Sequence, residues 1–147
     1  MKKVFLALSL SLAVALTTSA HPVEKENPRV EKAFQKMFAG ASHVNWAQVK
    51  EGLLKVSFVW GGHQSIAVFD RNAQLIGTIR GLFFRDLPLP VAKAVTEQFN
   101  NPVALEVNEI FNEEGLRYAV VLEDKNKKYN VSLDSRGNVV EKERIKK

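Results

Sequence analysis

The feature that most constrains the fold of this chain is one order of elements written twice: an amphipathic helix, then four segments of alternating residues. The first helix is predicted from side chains spaced at i, i+3, i+4, i+7 and i+8, which lie on one helical stripe. These residues are Val30, Ala33, Phe34, Met37 and Phe38. The same spacing returns later, with one polar member, at Val91, Ala94, Val95, Gln98 and Phe99.

Both helices carry start and stop signals. Asn27 is a suitable N-cap with Pro28 at the first helical position, and Gly40 stands where a left-handed terminating residue is wanted. The second helix follows the segment Asp86-Leu87-Pro88, and its prolines are acceptable in a first turn, where the amides have no helical acceptor.

After each helix come period-two segments separated by turn residues, which indicate antiparallel hairpins. In the first unit the predicted strands span residues 44–49, 53–60, 64–69 and 75–84. In the second unit they span residues 103–111, 116–123, 128–133 and 139–145. The order of elements is the same in both halves.

The last hairpin of each unit has matching turn residues. Asp134 opens the second turn and Gly137 stands at its left-handed position, which is a mechanical reason for Asp-x-x-Gly between strands. In the first turn Asp70 is followed at that place by Ala73, so we expect Asn72 to take the positive backbone angle there.

Alternation within the strands predicts which side chains are buried. We expect one side of the sheet to pack against the helices and the other to be largely wet, with mixed residues in the first unit. In the first unit the inward series is Leu54, Val56, Phe58 and Trp60. In the second unit it is Tyr129, Val131 and Leu133.

The first twenty residues are typical of a secretory signal peptide. Lys2 and Lys3 precede an apolar run of about 13 residues, shorter than the about 20 that a membrane span needs. Cleavage after Ala20 is expected, with Ala15 as the alternative. The predicted organisation is a signal peptide over 1–20, a loose tail over 21–27, and α-β4 units over 28–85 and 86–147, which together form one domain from residue 21.

Composition narrows the cellular setting and the class of partner. The chain has 147 residues and no cysteine, so an exported form depends on packing without disulfides, which suits a bacterial periplasm at least as well as the open medium. The net charge of +5 includes the two leader lysines, and basic residues elsewhere alternate with acids, as in Glu141-Lys142-Glu143-Arg144. We expect no nucleic-acid partner and no stable membrane insertion.

The order of these motifs resembles the PepSY-like family, and more narrowly its exported tandem-unit group described as β-lactamase-inhibitor-like. The resemblance is strongest from Asp86 onward. It is carried by Asp86-Leu87-Pro88, Tyr118-Ala119-Val120, Tyr129-Asn130-Val131 and Leu133-Asp134-Ser135-Arg136-Gly137-Asn138. It implies an α+β fold with helices on one face of an antiparallel sheet, in the envelope of Bacteroidetes-type bacteria. It also implies binding or restraint of proteases and other envelope proteins, and it offers no catalytic residues to transfer. The inhibitor label reflects fold similarity, so β-lactamase inhibition is not carried over to any residue here.

No set of residues in the sequence predicts a reaction or a cofactor. The three histidines, His21, His43 and His63, lack close metal-ligand spacing, and only an N-terminal His21 offers a copper chelate. Ser42 and Ser65 lie near histidines in sequence, but neighbouring strand residues point to opposite faces. The carboxylate pairs Glu106 with Glu109 and Glu113 with Glu114 are explained by surface solubility.

The remaining candidates are apolar. Leu82, Phe83 and Phe84 either fill a core between the units or form an exposed patch that docks a partner. Trp46 and Trp60 are further possible anchors, although core positions explain both. We therefore predict a non-catalytic periplasmic binding or inhibitory module with a protein partner. The alternative is capture of a small ligand or metal in the cleft between units.

Overall fold

The computed structural model describes residues 27–50, 52–125 and 127–145. The predicted signal peptide and most of the predicted tail, with His21, lie outside these residues. Each helix is followed by four strands. The elements are α1 Pro28–Met37, β1 Ser42–Lys50, β2 Leu53–Trp60, β3 His63–Asp70, β4 Leu75–Gly81, a 3-10 turn Phe84–Asp86, α2 Leu89–Gln98, β5 Val103–Asn112, β6 Gly115–Asp124, β7 Lys127–Asp134 and β8 Val139–Ile145.

All eight strands form one antiparallel sheet in the order of the sequence, from β1 at one edge to β8 at the other. The two halves of the chain meet at the pairing of β4 with β5, which joins only Thr78–Gly81 to Asn108–Phe111. We call this pairing the seam. Directly opposed residues in antiparallel strands share a face, so the register carries the inward side of β3 across the seam to the inward side of β6. Both helices therefore cover the same face of the sheet, which we call the helix face, and we call the other the open face.

The helix face holds two separate cores. In the first, α1 contributes Val30 and Phe34 against the predicted inward residues of β2 and against β3. In the second, α2 contributes Val91 and Val95 against β5, β6 and β7. The inward series of both units is confirmed, since Val56, Phe58, Val131 and Leu133 are buried and Leu54, Trp60 and Tyr129 pack beside them. Met37 is the exception on the α1 stripe, because it is about half exposed.

The helix ends follow the local signals. The Asn27 side chain accepts a hydrogen bond from the Arg29 amide at 3.1 Å, so it caps α1 as predicted, and Gly40 has φ of 81°. Pro88 is the N-cap of α2. Across the described residues, no helix is both long enough and apolar enough to cross a membrane.

The predicted fourth strand is too long. It ends at Gly81 instead of Phe84, because the chain turns into the 3-10 segment. The Asp86 carboxylate accepts a hydrogen bond from the Phe83 amide at 3.2 Å, while the Asp86 amide donates to the Phe83 carbonyl at 2.9 Å. These two bonds close a tight turn that takes Phe83 and Phe84 out of the sheet.

The matching hairpin turns have the same hydrogen bonds. Asp70 Oδ1 accepts from the amides of Asn72 and Gln74, both at 2.8 Å, and Asp134 Oδ1 accepts in the same way from two amides at 2.9 Å. The prediction for Asn72 is wrong, because Ala73 takes the positive angle, with φ of 64°. The hydrogen bonds to the aspartate determine which turn position has the positive φ, whether that position holds an alanine or a glycine.

Exchanging the residues at this left-handed position tests the turn. Ala73→Gly should raise the free energy of unfolding by about 1 kcal/mol, since glycine has no Cβ to strain at positive φ. Gly137→Ala should lower it by about 2 kcal/mol or more, because a Cβ there would overlap the Pro90 carbonyl at the start of α2. Urea denaturation of both variants measures the difference. Equal effects of the same sign would contradict this account of the turns.

Candidate functional site

A polar strip crosses the helix face at the seam. Ser65, Arg80, Glu109 and Tyr118 stand directly opposite one another on β3, β4, β5 and β6. Arg80 Nη2 lies 3.1 Å from Glu109 Oε1, and the Tyr118 hydroxyl donates to Glu109 Oε2 at 3.3 Å. The strip lies between the two cores, so the helix face at the seam carries an ion pair.

Two groups in this strip have unusual electrostatics. Burial raises the pKa of Tyr118, and the adjacent Glu109 carboxylate raises it further, because a phenolate there would be both desolvated and repelled. Arg80 Nε is buried and has no hydrogen-bond acceptor among the described residues. The strip therefore favours the protonated form of Tyr118 and leaves the Arg80 Nε donor without an acceptor among the described residues.

The apolar triplet at the join divides between two environments. Leu82 donates its amide to the Val107 carbonyl at 2.9 Å and packs against the second core. Phe83 is 56% exposed and Phe84 37% exposed, so neither fills a core between the units. The Phe83 ring lies 5.9 Å from the His63 ring, and the Arg85 guanidinium lies 4.7 Å from its centroid. The turn thus presents two aromatic rings at the surface.

Both tryptophans pack against the first core. Trp46 meets Phe34 edge to face at a centroid distance of 5.3 Å. Trp60 meets Phe38 at 5.5 Å, and its indole nitrogen donates to the Ala39 carbonyl at 3.1 Å. These contacts hold α1 and the segment after it on the sheet.

The serine and histidine candidates do not form a nucleophile and base. His43 has a positive φ of 53°, and its ring Nδ1 lies 3.2 Å from the Ser42 hydroxyl oxygen. The expectation that these two neighbours point to opposite faces is therefore wrong. Both are exposed, and no acidic side chain orients His43 in the described part of the chain. The Ser65 hydroxyl donates to the His63 carbonyl at 3.4 Å, not to its ring. Neither arrangement supplies an activated hydroxyl.

The acidic candidates are also separated. Glu109 is on the helix face, whereas Glu106 lies opposite Val121 on the open face and accepts a hydrogen bond from Asn108 at 2.7 Å. Glu114 is paired with Arg117 at 3.3 Å. Within residues 27–50, 52–125 and 127–145, no group of three or more histidine, cysteine or acidic residues is placed to hold a metal ion.

The open face carries a site that sequence reasoning missed. Ile66, Ile79 and Ile110 stand directly opposite one another on β3, β4 and β5. We call them the isoleucine row. They are half-buried and belong to neither core, because the buried residues of both helices lie on the other face. The centre of the open face is therefore apolar, and the expectation of a largely wet face is wrong there.

The isoleucine row has glycines beside it on β4 and polar residues at its two ends. Gly77 and Gly81 flank Ile79 along β4 on the same face, so its side chain stands between two positions without side chains. The row continues into polar residues at both ends, Ser57 on β2 and Arg117 on β6. An apolar centre with a polar rim is the arrangement found at protein-binding surfaces.

One signal for this row was present in the sequence. Each isoleucine alternates with an inward-facing neighbour, as Ile66 does with Ser65 and Ala67. Alternation within a strand indicates only that the isoleucine faces outward, and the strand order is what places three such residues side by side. That order depends on the β4 and β5 pairing, which neighbouring residues in sequence do not specify.

Comparison with known proteins bears on the fold. No protein-family model matches the chain, and no curated protein matches it. Solved structures do. A BLIP-like protein from Bacteroides fragilis is 24% identical, with a TM-score of 0.70 over 80% of this chain and 85% of that one. A DUF2874 family protein from Bacteroides ovatus is 19% identical, with a TM-score of 0.70 over 82% and 89%.

A third similar structure adds a cellular setting for its own protein. It is a candidate periplasmic protein from Bacteroides eggerthii, 20% identical, with a TM-score of 0.69 over 80% of this chain and 87% of that one. At these identities the likeness shows a shared fold. The implied α+β fold of the β-lactamase-inhibitor-like group is thus confirmed, while the PepSY-like assignment stays a prediction.

The strip makes a prediction about alkaline pH. The raised pKa of folded Tyr118 means that its stabilising contribution is present below the unfolded value and is lost as pH rises above about 10. Tyr118→Phe should cost about 1 kcal/mol at neutral pH through the lost hydrogen bond, and this difference from wild type should shrink at alkaline pH. Denaturant midpoints across the alkaline range measure it, with Tyr129→Phe as the matched control for a lost hydroxyl. A difference that grows with pH would contradict the assignment.

Proposed function

We propose that this protein is a non-catalytic binding module of the bacterial periplasm, built from two tandem α-β4 units, that restrains a protease or another envelope protein. The observation that carries the proposal is the isoleucine row, an apolar centre on a sheet face that no described helix covers. The signal-like residues 1–20 and the fold shared with Bacteroides proteins support the location.

Protein is the partner class that fits this surface. The open face has apolar side chains at its centre and hydrogen-bonding groups at the ends of the isoleucine row, as protein-binding surfaces do, whereas small molecules bind in concave sites. The aromatic pair Phe83 and Phe84 is a second exposed surface, but it lies beyond the end of β4 and is supported by one short turn. We therefore assign the main contact to the isoleucine row and a secondary contact to Phe83 and Phe84.

Charge substitutions on the open face test this assignment. Ile79→Lys and Ile110→Lys should each reduce partner capture by about tenfold or more, because a lysine at the centre of an apolar interface is desolvated without a partner. Chemical cross-linking in periplasmic extract, read by quantitative mass spectrometry, identifies the captured protein. Its activity with and without the purified module then tests restraint.

Two controls make the result specific. Val140→Lys places the same charge on β8, where the side chain is about half exposed and far along the sheet, and should leave capture unchanged. Phe83→Ser with Phe84→Ser tests the secondary surface. Loss of capture in this variant alone would move the main contact away from the isoleucine row, and turnover of any substrate by the purified protein would contradict a non-catalytic role.

The alternative function is capture of a small ligand or metal between the units. One observation favours a small acidic ligand, because the unsatisfied Arg80 Nε is a donor that such a ligand could complete. Native mass spectrometry of protein from its own host separates the two functions. A bound small molecule that is lost in Arg80→Met would support capture, whereas an unloaded protein that still captures its partner supports the binding module.

A further inference from the structure

The two edges of the sheet differ in charge. β8 carries Glu141, Lys142, Glu143 and Arg144 in succession, whereas β1 has no aspartate, glutamate, lysine or arginine from Ser42 to Val49. Exposed strand edges can pair with a second chain, and proteins commonly block this pairing with charge. Charged side chains therefore protect the β8 edge against pairing, whereas residues 42–49 of β1 have no such protection.

The alternation on β8 explains how the protection works. Glu141 and Glu143 lie opposite open-face residues of β7, whereas Lys142 and Arg144 lie on the helix face, where Lys142 Nζ is 4.7 Å from the Phe99 ring centroid. Two identical antiparallel edges pair about a twofold axis perpendicular to the sheet, so residues on the same face meet. Every symmetric register through the middle of β8 thus sets acid against acid or base against base, which is destabilising.

The same operation on β1 meets no like-charge repulsion. The register with β2 is regular over four residues, Asn45–Gln48, between irregularities on either side, and the pairing is centred within this stretch. Trp46 lies on the helix face, and its neighbours Asn45 and Ala47 lie on the open face. A twofold axis at Trp46 sets Trp46 beside the partner's Trp46 and Asn45 beside the partner's Ala47. The first of these is an aromatic cross-strand pair, among the more favourable kinds.

A groove beside β1 gives this pairing an apolar component. It has a volume of about 510 Å³ between α1 and β1 and is lined by Phe34, Phe38, Val44 and Trp46, with Glu31 and Gln35 on the α1 side. Val44 is 41% exposed on this edge. Pairing centred on Trp46 brings the second copy alongside this groove, so apolar surface from both copies is covered together.

We propose that β1 is a self-association edge, at which a second copy of this chain pairs antiparallel about Trp46 and extends the sheet to both copies. This self-association is independent of the proposed function, because it involves the edge of the sheet and not the isoleucine row. Sedimentation velocity over a wide concentration range should show a reversible monomer and dimer.

Two matched double variants test the register. Asn45→Glu with Ala47→Glu sets two pairs of like charges across the axis and should weaken dimerisation by about tenfold or more. Asn45→Glu with Ala47→Lys sets two pairs of opposite charges and should restore it to within about threefold of wild type. Circular dichroism and thermal midpoints check that both remain folded. A wild type that is monomeric at every concentration overturns the proposal, as does a dimer that the first variant leaves intact.

The absence of cysteine allows an independent test. Asn45→Cys and Ala47→Cys proteins, each prepared reduced, should form a disulfide-linked dimer when mixed and oxidised, because directly opposed residues are within disulfide reach. Each protein oxidised alone should give little cross-linking. Efficient cross-linking of either protein alone, or none in the mixture, overturns the register centred on Trp46.

Discussion

The pairing of β4 with β5 is the interaction on which the architecture depends. It joins four residues of each strand, fewer than any other pairing in the sheet. It is also the one strand pairing that connects the first four strands to the last four. Each face of the seam has a different kind of contact. Arg80 meets Glu109 on the helix face, and Ile79 meets Ile110 on the open face.

The ion pair explains why the helix face has two cores. A single core would need a continuous row of apolar side chains across the seam. On the helix face Ser65, Arg80 and Glu109 interrupt that row, and the Tyr118 hydroxyl donates a hydrogen bond to Glu109. Each helix therefore covers its own half. Because the polar strip lies only on this face, the open face continues across the seam without interruption.

A glycine on β4 shows how closely the seam is fitted. A Cβ at Gly77 would lie 2.7 Å from the Phe111 carbonyl oxygen, which real Cβ contacts do not allow. β4 must approach β5 closely just where the four-residue pairing begins. The same absence of a side chain leaves Ile79 prominent on the open face, so one residue serves both the pairing and the shape of the candidate surface.

Much of the fold could be predicted from the sequence because its signals are local. The Asn27 cap, the Asp134 turn and the inward series through Val56 and Val131 each depend on residues near in sequence. The end of β4 was missed because a side chain three residues away, Asp86, closes the turn around Phe83. Ala73 was missed because its angle is imposed by hydrogen bonds to Asp70 and not by its own preference.

The candidate surface could not be predicted in this way, because it exists only once strands are ordered. Ile66, Ile79 and Ile110 are far apart along the chain, and each looks like an ordinary outward residue of its own strand. In the proposed dimer, the twofold axis at β1 is perpendicular to the sheet, so the open faces of both copies point in the same direction. Two isoleucine rows on one continuous surface would engage a repeated or dimeric target together, and the second contact would then form at high effective concentration. Strand order sets the candidate site within one chain, and in the proposed dimer the pairing at β1 would present two such sites on one surface.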